Sequence, residues 1–465
     1  MQGTNLSTFT ADTRGLTIGI VLGVTLFAFE ALAVVTVAPL FVEDLGGLSL
    51  YGWVFSGFLL ASLLGAVASG LMADSGSLAR PLLWGLGFFG VGLAVSGSAP
   101  TMLVLIAGRV LQGLGGGALS TVMYAAISRA YPDAARARMM ALTSSAWVVP
   151  ALLGPTLAAL VAETLHWRYV FWGILPLLLI VVVLTYRAFS RLVQRAATPR
   201  ARGRLVSALW LAAGAGLLLT GVGADSWWLA VLALPGIVMV VMGLRDLLPA
   251  GTLGLRRGLP SVIAGRGTLF SAFVGVEAFL ALLLTSVHGY STAVTGAVIA
   301  TGSISWAVGA WLQSRLDNGL AADRARRMFV GTALIALGVV AQVVALFMTG
   351  AVLVVVVIGW VLAGLGIGMA HSTSSVLAFA LAPTGEDGRV STALQIADQF
   401  TAAVSTGVGG ALLAIATRLA WSQQQGILLA IGFVMALAVI GLVATWRSAP
   451  VEGAPERVTE AVTPV

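Results

Sequence analysis

Four charged side chains fall where a chain this apolar has little room for them: Arg109, Glu30, Glu277 and Asp398. Each lies inside a run of apolar and glycine residues near the ~20 needed to cross a bilayer. Charge in hydrocarbon is costly, so such residues face a bundle interior or a water-filled cavity and mark an ion or substrate path. Arg109 reads as the only basic residue well inside a hydrophobic segment. Helical spacing puts Arg109, Gln112, Gly113, Gly116, Gly117 and Ser120 on one polar-to-small face. Close helix packing accounts for the glycines, but not for Arg109 or Gln112.

A buried carboxylate that holds a proton in one state and a cation or arginine in another can couple proton flow to transport. At ~1.5 Å per residue, Arg109 sits roughly 12 Å and Glu30 roughly 15 Å from the outer surface, compatible with a pair. Glu277 and Asp398 come out roughly 14 Å from the inner surface, so all four are expected to border one cavity. Gln112, Trp147 and Gln395 are expected to line it with Glu30 and Asp398. Three acids against one arginine leave excess negative charge, so at least one acid is expected to hold a proton part of the time. The plainer alternative is that these groups brace helices. It weighs least at Glu30 and more at Asp398, where Gln395 and Gln399 suggest a generally polar face. It weighs evenly at Glu277, for which a lateral surface would serve as well. The three histidines, His166, His288 and His371, are far apart and make no metal-ligand spacing. His288 and His371 are assigned structural or interfacial roles.

The elements that must position these residues are membrane helices. The chain is 59% hydrophobic and 9% charged, against roughly 25% charged in soluble domains. Apolar runs fall at about 16–41, 50–73, 82–98, 101–129, 139–162 and 167–188, then 205–223 and 227–247. Six more follow at about 268–288, 292–314, 328–348, 351–381, 390–416 and 425–446. The first run contains Glu30 and is too long for a signal-peptide core, so it reads as a retained span. All 25 basic residues are arginine. With the N-terminus inside, only Arg168 and Arg418 lie outside and nearly all the rest inside, a strong positive-inside bias. Both termini are therefore expected in the cytoplasm of a multi-pass protein of the cell membrane, a bacterial inner membrane being the expected one. Trp53, Trp167, Trp227, Trp228, Trp421 and Trp446 lie near span ends, as interfacial anchors do.

Residues 109–117, RVLQGLGGG, resemble residues 360–368, WVLAGLGIG. The same offset carries Pro132 onto Pro383 and Arg138 onto Arg389, and Glu30 corresponds more weakly to Glu277. Parallel six-span repeats are one transporter plan, with the substrate site between the halves. The expected organisation is a six-helix bundle over 1–190 and a second over 268–447. Between them, 191–267 holds a basic linker, two extra spans and a flexible connector over 248–267. Residues 448–465 read as a disordered tail.

These residues resemble the major facilitator superfamily, and within it the fourteen-span drug:proton antiporters, over about 16–447. Arg109, Gln112 and Gly113 match that family's R-x-x-Q-G motif, which the resemblance associates with proton transfer. Gly154-Pro155 matches the core of the antiporter motif, although its trailing glycines are Ala158 and Ala159. Residues 166–176 resemble the W-R-W-x-F stretch opening the sixth span, with Ile174 in place of an asparagine. In the loop after the second span Gly70, Ala73 and Asp74 fit the family pattern, but Ser75 replaces an arginine and only Arg80 remains of the basic cluster. The resemblance implies an all-α fold of two six-helix bundles plus two central helices. It also implies gating roles for Gly70, Asp74, Arg80, Gly113, Gly154 and Pro155.

The expected function is proton-coupled export of amphipathic or lipophilic compounds by alternating access. Glu30, Arg109, Asp398 and Glu277 would couple protons, Arg109 as the fixed charge that sets Glu30's proton affinity. Metabolite uptake with proton symport, and lipid movement guided by the extra helix pair, are the alternatives. The expected partners are protons, a small amphipathic or lipid-like substrate and membrane lipids, with the chain a monomer. Short arginine-bearing loops argue against nucleic acid as a partner. No cofactor is implied. With no cysteine, no phosphate-loop G-x-x-x-x-G-K-[ST] motif and no nucleophile–base pattern, an enzyme is not expected.

Overall fold

A computed structural model describes residues 14–74, 77–131, 133–192, 201–317, 320–383 and 386–449. Among them the chain is all helical, with no strand. The early helices are α1 (Arg14–Leu45), α2 (Tyr51–Asp74), α3 (Ala79–Gly97), α4 (Met102–Ala130), α5 (Asp133–Ser145), α6 (Val148–Thr164), α7 (Arg168–Trp172) and α8 (Ile174–Arg191). Then come α9 (Ala201–Val222), α10 (Trp227–Ala230) and α11 (Ala233–Leu247). The last are α12 (Leu259–Leu282), α13 (Thr292–Leu316), α14 (Ala321–Ala345), α15 (Val352–Ala380), α16 (Asp387–Arg418) and α17 (Gln423–Trp446). Fourteen segments are long and apolar enough to span a membrane, in the expected six, two and six. Pro132, residues 193–200 of the basic linker and residues 450–465 of the tail lie outside the described residues.

The largest departure from the sequence reading is the ninth span. It begins at Leu259, so residues assigned to a flexible connector are the first turns of α12. Pro260 sits in that first turn, where its missing N–H breaks no helical bond. Before it, residues 249–258 form hydrogen-bonded turns, with Arg256 N donating to Gly251 O at 3.1 Å. Gly258, at φ +83°, turns the chain into the helix.

The chain divides into two compact units: residues 1–47 with 57–212, and residues 48–56 with 213–465. In the first, glycines draw α4 against two neighbours. A Cβ at Gly113 would lie 2.2 Å from Phe58 O, and one at Gly117 1.9 Å from Ser62 O, both on α2. At Gly115 it would meet Phe89 N of α3 at 2.4 Å. In the second unit α15 is held by the equivalent glycines. A Cβ at Gly364 would lie 2.4 Å from Gly302 O, and one at Gly368 2.1 Å from Trp306 O, both on α13. At Gly366 it would meet Gly331 O of α14 at 2.4 Å. Three glycines at one offset thus receive the same three-helix packing in each unit, which gives the repeat a physical basis.

The extra helices are equally close. Cβ atoms at Gly214 and Gly236 would come within 2.9 Å of Gly236 O and 2.7 Å of Gly214 O. The α9 end of this hairpin rests on α16 of the same unit, where Leu219 fills the space over Gly407. The fifth span is broken. Pro150 has no N–H to offer Ala146 O. That carbonyl instead lies 3.3 Å from the Thr25 hydroxyl of α1, which shares its proton with Val21 O at 2.9 Å. Helix α5 therefore ends before Trp147 and α6 begins after it.

Gly154 differs from the α4 glycines, because a Cβ there would make an ordinary 3.6 Å contact with Phe29. Gly117→Ala should lower stability by about 1–3 kcal/mol through overpacking, while Gly154→Ala should change it little. Thermal unfolding of both variants in one detergent tests this, and equal midpoints would refute the packing argument.

Candidate functional site

In the first unit the mid-helix charges meet. Arg109 Nη1 donates to Glu30 Oε1 and to Gln112 Oε1, and Gln112 Nε2 donates to Ser96 Oγ at 3.0 Å. The Arg109 guanidinium carbon lies 4.3 Å from the Phe58 ring centroid. Glu30 and Gln112 are fully buried and Arg109 is 3% exposed. One carboxylate oxygen, Glu30 Oε2, has no hydrogen-bond partner among the described residues. Packing explains the arrangement. Gly113 admits the α2 backbone at Phe58, and Gly108 admits Ser96 of α3. The glycines therefore bring in the two side chains that flank the guanidinium and its glutamine.

One turn along α1 from Glu30 and about three turns along α4 from Arg109 opens a cleft of about 650 Å³, mouth included, walled by Phe27, Met123, Tyr124 and Trp147 with Ser120 and Thr143. Phe27 sits over Gly116, whose missing side chain leaves room for the ring. Its centroid is 6.1 Å from Trp147, edge to face, and 6.2 Å from Phe58. A row of rings thus runs from the cleft to the guanidinium. The α4 face read from helical spacing has two ends: a sealed one at Arg109 and Gln112, and an open one at Ser120.

In the second unit Asp398 has a basic partner that the sequence reading assigned to a loop. Arg266 donates Nε to both Asp398 oxygens at 3.0 Å and Nη2 to Oδ2 at 2.8 Å. Its Nη1 reaches Ser375 Oγ at 2.5 Å and His371 O at 3.2 Å. The His371 ring Nε2 lies 3.2 Å from Asp398 Oδ2. Arg109 is therefore not the only arginine well inside an apolar segment, and His371 is part of a charged cluster rather than an isolated structural group. Arg266 was missed because Gly258 and Pro260 were read as part of a connector over 248–267 instead of the start of a helix. The signal available was a shared depth, two to three turns from the inner helix ends, for Arg266, His371 and Asp398.

Glu277 lies about three turns further along α12 than Arg266. It is 9% exposed and has no ion-pair partner among the described residues. Gln395 is exposed, Trp147 lines the cleft at 41% exposure, and Arg80 is exposed. Asp74 is the last residue of α2. Near it Arg129 Nη2 donates to Ala73 O at 3.1 Å, tying α4 to the end of α2.

Two charge clusters at helix ends escaped the sequence reading. Arg168 pairs with Asp44 and donates Nη2 to Ala99 O at 2.9 Å, while stacking on Trp167. Trp167 Nε1 also donates to Asp44 Oδ2, at 3.1 Å. Trp167 is 3% exposed, so it pins helix ends instead of anchoring at the interface. In the second unit Arg324 and Arg327 both bind Asp317, at 3.0 and 2.6 Å, across the α13–α14 loop. The first could not be found from spacing alone, since its partners lie over a hundred residues apart.

The family model of the Major Facilitator Superfamily matches residues 19–406. "Multidrug resistance protein 3" of Bacillus subtilis is 32% identical over 167 residues, covering 36% of this chain and 33% of the relative. A "probable multidrug-efflux transporter" of Mycobacterium tuberculosis is 36% identical over 156 residues, covering 34% of this chain and 33% of the relative. These matches therefore span about a third of each relative's length. Among solved structures, a peptide transporter POT in complex with sulfate is 14% identical, with a TM-score of 0.68 over 94% of this chain and 95% of that one. A bacterial homologue of the human lysosomal transporter Spinster, inward-facing and occupied, is 13% identical, with a TM-score of 0.63 over 95% of this chain and 97% of that one. At such identities these structures speak for the fold alone.

Removing one partner of a buried ion pair strands the other charge, at about 3–5 kcal/mol. Arg109→Met or Glu30→Leu alone should each destabilise the protein by that order, and the double variant should recover most of the loss. A double-mutant cycle on thermal unfolding measures this, and simple additivity would show that the pair is not coupled.

Proposed function

The chain belongs to the Major Facilitator Superfamily, and from that premise we propose that it is a proton-coupled exporter of amphipathic or lipophilic compounds, acting by alternating access. Membership makes it a multi-pass membrane transport protein and not an enzyme. The observation that carries the finer reading is Glu30, with one oxygen on Arg109 and the other without a partner among the described residues, one turn along α1 from the aromatic cleft. The names of the relatives support export over uptake.

In the proposed cycle Arg109 is the fixed charge. With Glu30 ionised, the guanidinium is satisfied and the site is closed. A proton arriving on Glu30 cancels the carboxylate charge and loosens Arg109's hold, since the ion pair gives way to a neutral acid beside a cation. Trp147 and Phe27 offer flat apolar faces, and their π-systems attract a lipophilic cation within about 6 Å. Substrate in the cleft meets Phe27, which lies between Trp147 and the Phe58 ring under Arg109. Glu277 is the second candidate acid, because a buried carboxylate without a partner is stable only when protonated or when a cation is near. Asp398, neutralised by Arg266, is the least available of the three.

Proteoliposomes with tetraphenylphosphonium as probe test this reading. Glu30→Gln should reduce proton-gradient-driven flux at least tenfold while leaving downhill exchange of the probe. Substrate-driven proton movement unchanged in Glu30→Gln would sink the carboxylate role.

The cleft carries its own expectation. Trp147→Ala should raise the KM for the probe about tenfold, the loss of one good cation–π contact, with kcat within about twofold, and Trp147→Phe should restore most of it. A variant that lowers kcat at unchanged KM would place Trp147 outside the binding surface.

A further inference from the structure

The second unit holds a cluster to which the proposed cycle gives no role. Arg266 of α12 and His371 of α15 converge on one carboxylate, Asp398 of α16. The cluster differs from the Glu30–Arg109 pair in two respects. It contains an imidazole, the side chain whose ordinary proton affinity lies nearest neutral pH. It is also less sealed, since the His371 side chain keeps 22% exposure and that of Asp398 12%, against 1% for Glu30.

We propose that His371 exchanges protons with water, as a second titratable site in the transporter distinct from Glu30–Arg109. The inference extends the proton-coupled reading to the second unit and rests on that reading for its role in transport.

The hydrogen bonds decide where the exchanging proton sits. Asp398 accepts from Arg266 through both oxygens, so it is held as the carboxylate and can only accept. Its contact with His371 is then a hydrogen bond only if Nε2 carries hydrogen in both charge states. The proton that comes and goes is on Nδ1. Loading takes it from water to make the imidazolium, and unloading returns it to water with the Nε2–H bond to Asp398 intact.

Two aromatic rings and one carboxylate stand beside the ring. Phe270 and Trp306 flank it at centroid distances of 5.5 and 5.7 Å. Asp398 supplies the negative charge on one side. Arg266 opposes the imidazolium, but its Nη1 is turned to Ser375 Oγ and the His371 carbonyl. The other elements packed against α15 bring few charges. Helix α12 adds Glu277, about three turns beyond Arg266. Helix α13 carries Arg315 in its last turn, and α14 carries Asp323, Arg324, Arg326 and Arg327 in its first two. The last of these, with Arg324, is held by Asp317.

The test uses the full-length protein, labelled with 13C and 15N at histidine, in lipid nanodiscs. Only three histidines are present, so His166→Gln, His288→Gln and His371→Gln assign the ring signals. The expected result is a His371 ring that passes between the doubly protonated form and the Nε2–H tautomer between pH 5 and 9. A ring fixed in one charge state across that range overturns the proposal, and so does a neutral form with hydrogen on Nδ1. A second measurement counts protons released by weakly buffered purified protein on adding tetraphenylphosphonium. His371→Gln, whose amide can still donate to Asp398, should release about one proton fewer than wild type while binding the probe. Equal release from both overturns the transport role of His371. No release from wild type would instead defeat the proton-coupled reading, leaving the ring titration to decide the site itself.

Discussion

An ion inside an apolar bundle must find its counter-charge there, and this constraint shapes both units. A lone buried charge costs several kcal/mol, more than any single packing contact returns. The Arg109 guanidinium can therefore sit in α4 only if α1 brings Glu30 within hydrogen-bond reach. That reach depends on glycine. With side chains at 113, 115 and 117, α2 and α3 would stand off from α4, and Phe58 and Ser96 would leave their places beside Arg109 and Gln112. The glycine run and the ion pair are thus parts of one arrangement. The first sets the distance between helices, and the second makes that distance worth keeping.

The second unit separates the two requirements. Its glycines at 364, 366 and 368 reproduce the packing of α4, but the position equivalent to Arg109 is Trp360. That ring is fully buried, donates Nε1 to Ile299 O at 3.2 Å and stacks on Phe273 at 4.5 Å. It lies over Gly302, where a Cβ would meet the indole at 2.1 Å. The scaffold fixes the small residues and leaves the head of the run free to be a cation or a ring. A buried arginine of this unit enters from α12 instead, so the same electrostatic rule is met by a different helix.

Span number and the Glu30–Arg109 pair were legible in the sequence because both follow from one-dimensional quantities, hydropathy and depth along a helix. Arg266 was not, because Gly258 and Pro260 signal a turn and a helix start with equal force, and Arg256 and Arg257 beside them look like loop charge. That one misplacement had consequences. It put Glu277 at the depth of Asp398, when the earlier start of α12 carries it two turns further from the inner end. It also made the acids appear to outnumber the bases three to one, when Asp398 has its own arginine. The Asp44–Arg168 pair was beyond reach for another reason: nothing in a single sequence says which charges at distant helix ends meet.

The break in the fifth span gives the first unit a hierarchy of movable parts. Trp147 follows Ala146, whose carbonyl has lost its helical donor to Pro150 and leans on a hydroxyl of α1 that is already shared. Parting that contact forfeits at most one ordinary hydrogen bond, about 0.5–1.5 kcal/mol net. Separating Arg109 from Glu30 strands two ions in a site almost closed to water, where charges are screened least. The Ala146 contact is therefore the weaker joint of the two. On the proposed cycle, Trp147 and the start of α6 would shift to admit substrate while the ion pair stays closed, and a change in the charge of Glu30 would then remove the larger barrier. The aromatic row from Trp147 through Phe27 to Phe58 is a packed path between the two contacts, and helix α1, which carries both Thr25 and Glu30, is another.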